Sequence, residues 1–387
     1  MIAVIADDFT GAAEIGGIGL RYGLNVVIET EDIQGEDADL LIIATDTRSL
    51  SAKEASDLIT RITKKLIKLN PQFIFKKVDS VLRGNITDEL NAQMKAMDKK
   101  RALIVAANPI FNRVIRNGMY YIGETPLNET GFSTDPEFPI SSSNVLEIIS
   151  NEKNVNVFSA KPGETLPEEG IIIGDVTGLK DLGRWVSSID NDTVIAGASG
   201  FFDALLSHQF SLNTNNVIPM IPFGEKALYV FGSTFPKEAD FIQRLEDNGY
   251  YFSNMPKEIY YNKNFDPCYL EYWANDIVDG IKKHHKVVAS IDYTPSDEPD
   301  IAFRIKENMG QLIKKITDRV ALNELLIEGG GTTSVALKYL HIKKLLPVQE
   351  LETGVIRMKI DNSTDFCLTT KPGSYFWPEC VWFPEVV

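Results

Sequence analysis

Cysteine, histidine and positive charge are all scarce in this chain. The three cysteines, Cys268, Cys367 and Cys380, are odd in number and not at metal-binding spacing. That argues against a disulfide framework or a cysteine zinc site and predicts free, mostly buried thiols in a reducing cytoplasm. His208, His284, His285 and His341 show neither HExxH nor any paired metal spacing, so core or surface roles are expected for them. Lys and Arg number 39 against 54 Asp and Glu, a formal net charge of −15. A basic face for nucleic acid would have to form against that acidic field, so nucleic acid is not an expected partner. No run approaches about 18 consecutive apolar residues, so no membrane span is expected. Met1 leads directly into the apolar run MIAVIADD, which predicts no signal peptide and a cytoplasmic location.

What is present is an ordinary globular composition, 44% hydrophobic and 24% charged over 387 residues. At about 100–200 residues per domain, that length suggests two domains. Strand-like apolar runs alternate with amphipathic stretches: Ile2–Ala6, Ala12–Tyr22, Leu40–Ala44, Ala52–Leu69, Phe73–Val78 and Ala102–Ala107. This alternation predicts βαβ units and a mainly parallel sheet. The clearest helix carries Ala52, Ala55, Ile59, Ile62, Leu66 and Leu69 at helical spacing and stops before Pro71. Residues 108–143 are rich in Gly, Pro, Asn and Thr and too long for a plain connection, which suggests a functional segment. A polar, proline-containing stretch over 212–226 reads as a link, dividing the chain into domains 1–220 and 221–387. The second half repeats the grammar, with strands at Ala227–Phe231, Lys286–Ser290, Glu324–Glu328 and Phe366–Thr369 and helices at Pro236–Asn248, Asp300–Ile316 and Thr332–Tyr339. The expected fold class is α/β, with two domains, each a mainly parallel sheet flanked by helices, and an active-site cleft between them.

In open α/β sheets, ligands gather at the carboxyl ends of strands, and the chemistry-bearing residues cluster there. Asp7 and Asp8 end the first strand, followed by Thr10 as a helix-cap candidate. They fit either a solvated, capped turn or carboxylates that accept a hydroxyl proton or hold a divalent cation. Lys76, Lys77, Asp79, Ser80, Arg83, Gly84 and Asn85 follow another strand and fit either a surface charge run or a carboxylate clamp. Asn108 and Arg113 close a further strand as a turn or an additional anion contact.

In the second half, strand ELLIE runs into Gly329, Gly330, Gly331 and Thr332 at a helix start. Bare backbone and unpaired helix N–H groups there would suit a phosphate, although the turn is neither a Walker A loop nor GxGxxG. The turns at Gly232-Ser233-Thr234 and Lys371-Pro372-Gly373-Ser374 are compatible with the same cradle, or are simply turns.

Taken in order, ADDFTGA, KKVDSVLRGN, the long NPIFNRVIRNGMYYIGETPLNETGFSTDPEFP segment, GASGFFDAL, IEGGGTTSVAL and TKPGSY resemble the four-carbon acid sugar kinase family over nearly the whole chain. The resemblance implies a two-domain enzyme that phosphorylates acids such as threonate or erythronate with ATP. The first domain would hold the acid through Asp8, Asp79, Ser80 and Arg83, and the second the nucleotide through Ser233, Gly329–Thr332 and Gly373. The family loop usually reads Gly-Gly-Asp-Thr, where this chain has Gly331. On this reading Asp8 is the base, Arg83 with Lys76 or Lys77 clamps the carboxylate, ATP and Mg²⁺ are the cofactors, and a homodimer is the expected assembly. A non-catalytic binding protein on the same fold is the alternative; a nicotinamide dehydrogenase lacks its GxGxxG after the first strand.

Overall fold

The computed structural model describes all residues except 31–32, 35–37, 136–137, 150–154, 212–220, 232–238, 292–299, 362–364, 374 and 384–387. The chain divides into two compact units, Met1–Asn216 and Val217–Val387. The expected boundary near 220 falls within residues outside the description.

In the first unit the strands are β1 (Ile2–Ala6), β2 (Val26–Glu29), β3 (Leu40–Ala44), β4 (Ile74–Lys77), β5 (Arg101–Val105), β6 (Arg113–Arg116), β7 (Met119–Ile122), β8 (Thr125–Pro126), β9 (Val157–Ala160), β10 (Gly170–Gly174) and β11 (Thr193–Gly197). The helices are α1 (Phe9–Arg21), α2 (Ala52–Lys68), α3 (Ile86–Met97), α4 (Val145–Ile149), α5 (Leu179–Ser187) and α6 (Ser199–Gln209). Strands β2-β3-β1-β4-β11-β5-β10-β9 form a wholly parallel sheet. Its strands read as continuous apolar runs because both faces are covered. On β4, Phe75 packs against Phe201 and Phe202 of α6, while Lys76, pointing the other way, meets Glu89 of α3. Helices α6 and α3 therefore lie on opposite faces; α1 packs with α6, and α2 with α3. The connections leaving β1 and β4 thus go to opposite faces, making the ends of these neighbours the switch point where such sheets bind ligands.

Helix α2 confirms its sequence signature. Ser51 and Glu54 close a capping box, and Ala55, Ile59, Ile62 and Leu66 are buried. Residues 108–143, which carried no regular pattern, contain the small antiparallel sheet β6-β7-β8 and short 3₁₀ turns.

The second unit comprises β12 (Ala227–Phe231), β13 (Tyr251–Asn254), β14 (Lys286–Ser290), β15 (Glu324–Glu328), β16 (Lys344–Glu352), β17 (Val355–Ile360) and β18 (Cys367–Lys371). Its helices are α7 (Ala239–Asp247), α8 (Lys257–Tyr261), α9 (Cys268–His284), α10 (Ile301–Thr317), α11 (Gly330–Leu340) and α12 (Glu379–Trp382). Strands β13-β14-β12-β15-β18 are parallel, and β17 and β16 extend them antiparallel. The strand order reverses between β12 and β15, so this unit has a switch point of its own. Buried Arg357 of β17 holds the entry to the unit, donating to the Ile221 and Pro222 carbonyls and to Glu324. All three cysteines are free thiols. Among the described residues, no helix is long and apolar enough to cross a membrane.

Candidate functional site

Three neighbouring strand ends, those of β3, β1 and β4, converge on one charged cluster in the first unit. Asp8, rather than Thr10, caps α1: its Oδ1 accepts the Gly11 N–H at 3.0 Å, and its Oδ2 accepts the Thr10 hydroxyl at 2.6 Å. Thr10 cannot serve as the cap because the helix has already begun at Phe9, and its hydroxyl orients the carboxylate instead. A Cβ at Gly11 would stand 2.6 Å from Asp8 Oδ1 and 3.0 Å from Lys77 Nζ, so glycine leaves the room those two groups occupy. Asp7 is only 3% exposed. Its Oδ1 is buried with no hydrogen-bond partner among the described residues, whereas Oδ2 accepts from Arg48 Nε at 2.8 Å.

Arg48 is the centre of the cluster. Its Nη2 lies 2.8 Å from Asp7 Oδ2 and 3.2 Å from Asp8 Oδ1, and its Nη1 lies 3.5 Å from Asp79 Oδ1. Asp79 accepts a two-pronged grip from Arg83, with Nε and Nη2 each at 2.8 Å, and also the backbone N–H groups of Val81 and Arg83. Arg83 Nη1 continues to Asp135 at 2.8 Å. Arg113 donates to the Ser80 hydroxyl, and Tyr120 donates to the Ser80 carbonyl at 2.6 Å. The guanidinium groups of Arg83 and Arg113 both sit over the Phe132 ring, at 5.3 and 5.6 Å. Beside them a recess of about 480 Å³ is lined by Arg48, Ser49, Leu82, Arg83, Gly84 and Asn85 among others.

The electrostatics separate the three acids. Burial pushes the Asp8 carboxyl up, but Arg48, Lys77 and the Thr10 hydroxyl outweigh it and hold the group below its ordinary value. For Asp79, burial is overcome by Arg48 and Arg83, which depress its carboxyl far below the usual range. Asp7 goes the other way: burial outweighs Arg48 and raises it.

Not every residue singled out in the sequence faces this cluster. Lys76 is fully buried and ion-paired with Glu89 at 2.6 Å, committed to the core beneath the site. Strand alternation sends Lys77 to the opposite face, where its ammonium donates to the Val78 carbonyl at 3.0 Å and neighbours Asp8. Asn108 is also buried; it caps the 109–111 turn through the Ile110 N–H and reaches Ser199 at 3.5 Å. Sequence reasoning missed Arg48, Phe132 and Asp135. The sole signal for Arg48 was a cation shortly after the strand LLIIA.

In the second unit, Gly329 takes φ 92° at the end of β15 and serves as the N-cap position of α11, so Gly330, Gly331 and Thr332 form the first turn of that helix. Its carbonyl accepts the Thr333 hydroxyl at 2.9 Å. Across the strand end, Lys371 is 1% exposed and ion-paired with Glu328 at 2.7 Å, its ammonium 5.4 Å from the Trp377 ring. Lys371 is thus neutralised within the fold rather than projecting from its turn, because registry places it directly opposite Glu328. Among the described residues, Lys306 of α10 borders the glycine turn, its Nζ 3.3 Å from where a Cβ at Gly331 would stand. Gly373 is exposed, and Ser233 lies outside the described residues. Among the described residues, no group of three His, Cys, Asp or Glu side chains is arranged to hold a metal ion. Among the described residues the acids at these strand ends, Asp7 Oδ1 apart, face Arg48, Arg83 or Lys371, an arrangement that does not fit a resident magnesium.

The acid–arginine cluster thus lies at the switch point of a parallel α/β unit, the place where open sheets of this kind take their ligands. The family model described as the sugar-binding N-terminal domain matches residues 2–205, more than half of the chain. The chain belongs to the family of that sugar-binding domain, and curated relatives it resembles carry the names D-threonate kinase, 3-oxo-tetronate kinase and D-erythronate kinase. It is 30% identical over 221 residues to a D-threonate kinase of Salmonella typhimurium, 52% of each chain, and 29% identical over 242 residues to a 3-oxo-tetronate kinase of Brucella melitensis, 56% of this chain and 55% of that one. The matched region thus spans about half the length of these curated relatives. A solved structure from Salmonella typhimurium LT2 shares the fold, with a TM-score of 0.78 at 19% identity over 99% of this chain and 98% of that one.

Proposed function

We propose that this protein is a kinase that transfers the γ-phosphoryl group of ATP to a hydroxyl of a small hydroxylated carboxylic acid of the threonate or erythronate type. The observation that carries the reading is the cluster around Asp8, an ionised carboxylate at a helix N-terminus ringed by Arg48, Lys77, Asp79 and, farther out, Arg83 and Arg113. The kinase names of the relatives supply the reaction type.

In this mechanism the first unit holds the acid and the second holds the nucleotide. Arg113 with Ser80 anchors the substrate carboxylate; among the described residues Arg113's hydrogen bond goes to a neutral hydroxyl, whereas Arg83 is engaged by Asp79 and Asp135. Asp8 accepts the proton of the substrate hydroxyl as its oxygen bonds to the γ-phosphorus, and the bond to the β–γ bridging oxygen breaks to release ADP. The Gly329–Thr332 turn offers backbone N–H groups and the positive end of α11 to the phosphates. Magnesium enters as part of the substrate, MgATP, and no step is assigned to a resident ion.

Incubation with ATP, magnesium and a panel of four-carbon aldonic acids should release ADP with at least one acid; no release with any of them refutes the kinase. Asp8→Asn should lower kcat by roughly 10²–10⁴-fold. The variant should still fold, because Asn caps a helix as well as Asp does, so the loss is read on folded protein. A second reading, a non-catalytic sugar-acid-binding protein, draws on the neutralised Lys371–Glu328 pair at the proposed phosphate turn. It predicts a thermal shift with the acid and no ADP. The homodimer belongs to the proposal and is read by sedimentation.

A further inference from the structure

We infer that Arg48 is the positioning residue of this site: one guanidinium at the end of β3 fixes the carboxylates at the ends of β1 and β4, so that Asp8 is presented to the substrate hydroxyl in a single orientation. The inference rests on the kinase reading above and adds to it a residue outside its binding and proton-transfer set.

The geometry shows a side chain around which two separate segments are shaped. The turn that carries Arg48 is tied to β1 by the Thr45 hydroxyl, which donates to the Ala6 carbonyl at 2.8 Å, and by the Arg48 N–H, which reaches the Asp7 carbonyl at 3.3 Å. Asp46 adopts the left-handed region, φ 51°, to turn the chain back. From the other side, the Asn85 side-chain amide donates to the Thr47 and Leu50 carbonyls, at 3.0 and 2.8 Å, and clamps the same turn. Gly84, at φ 95°, lies where a Cβ would come within 2.9 Å of Arg48 Cγ. The segment following Asp79 therefore makes room for the arginine stem and also grips its backbone.

At the far end, Nε, Nη1 and Nη2 each face a carboxylate oxygen. Two of those acids are consecutive residues and the third comes from the next strand, in surroundings where Asp7 is 3% and Asp79 5% exposed. Carboxylates this close repel one another in a poorly solvated site; without a shared cation one of them would take up a proton or swing away. Arg48 has its charge committed to these acids, so its effect on the reaction runs through Asp8. The planar fork spreads its donors over Nε, Nη1 and Nη2 and so holds oxygens on separate carboxylates in fixed directions, whereas the three donors of a lysine ammonium all radiate from one freely rotating nitrogen. The Lys76–Glu89 pair below is the contrast: a single ion pair closed inside the core, with no acid left over to orient.

The test compares Arg48→Lys, Arg48→Gln and Arg48→Ala in the full chain, with ADP release measured on whichever acid the parent enzyme uses. We expect kcat to fall about 100-fold, the scale of an ångström-sized misplacement, with KM changed by less than about threefold. Millimolar guanidinium should restore part of the turnover of Arg48→Ala and none of the turnover of Asp8→Asn. Unchanged kcat in Arg48→Lys overturns the inference, as does a rise in KM with kcat intact, which would make Arg48 a substrate contact. Absence of guanidinium rescue in an Arg48→Ala protein that melts like the parent also overturns it, since the arginine is then a structural tie. Should Arg48→Ala fail to fold, the kcat and KM of Arg48→Lys and Arg48→Gln decide. A parent enzyme inert towards every acid refutes the kinase reading, and this inference with it; an active parent with indifferent Arg48 variants refutes this inference alone.

Discussion

Lys76 and Lys77 stand side by side in the sequence and have opposite fates. Alternation along β4 sends Lys76 to Glu89 in the core and Lys77 towards Asp8. Lys76→Met should therefore cost roughly 3–5 kcal/mol in urea unfolding, because Glu89 is left buried and unpaired, and Lys76→Met with Glu89→Leu should recover most of it. The KM for the acid should not move in either protein. Asp79 carries a pH signature. Arg48 and Arg83 overcome the burial penalty and depress its folded-state carboxyl, so its stabilising contribution is present above its unfolded value near pH 4 and is lost as pH falls below that. Unfolding free energy should drop by up to about 1.4 kcal/mol per pH unit below about pH 4 on account of this group. Asp79→Asn should flatten that slope; an unchanged slope would remove Asp79 as its source. Asp7 opposes the trend, since burial raises its carboxyl and its contribution is lost as pH rises through the elevated folded value.

At the scale of elements, the site depends on turns more than on helices and strands. Gly84 combines a left-handed φ of 95° with close contact to Arg48, so Gly84→Ala should lose about 1–3 kcal/mol through backbone strain alone. It should also lower kcat by displacing the arginine, which steady-state kinetics on the folded variant would reveal. Elements with strong periodicity were readable in advance: β1, β3, β12, β14 and β15 have the bounds their apolar runs indicate, and α2 ends within a residue of its expectation. The antiparallel pair β16 and β17 was not, because KLLPVQELE interrupts its alternation with Pro347 and register shifts. The β6-β7-β8 sheet hid within a turn-rich segment whose strands span only two to four residues.

At the scale of the whole molecule, a net charge of −15 means that an anionic substrate meets an unfavourable overall field and relies on the local cations to bind. Four-carbon aldonic acids should raise the melting temperature, with a gain of about 2.7 kcal/mol at a hundred times Kd, whereas the corresponding neutral polyols should not. In Arg113→Ala the acid should bind roughly ten- to a hundredfold more weakly, the range for a hydrogen bond to a charged group of about 1.5–3 kcal/mol. An equal shift by acid and polyol would remove the carboxylate from the recognition. ATP should still stabilise the Arg113→Ala protein if the nucleotide is held by the second unit.

Sequence alone determined the α/β class, the parallel strands and the strand ends where acids, arginines and glycines collect, because apolar periodicity and turn chemistry are local properties. Only the tertiary structure decided which charges meet. Arg48 reaches Asp7, Asp8 and Asp79 because β3, β1 and β4 are neighbours, and Lys76 and Lys371 are ion-paired within the fold because Glu89 and Glu328 lie beside them. Electrostatic partnership depends on distance in space, which no spacing along a chain specifies.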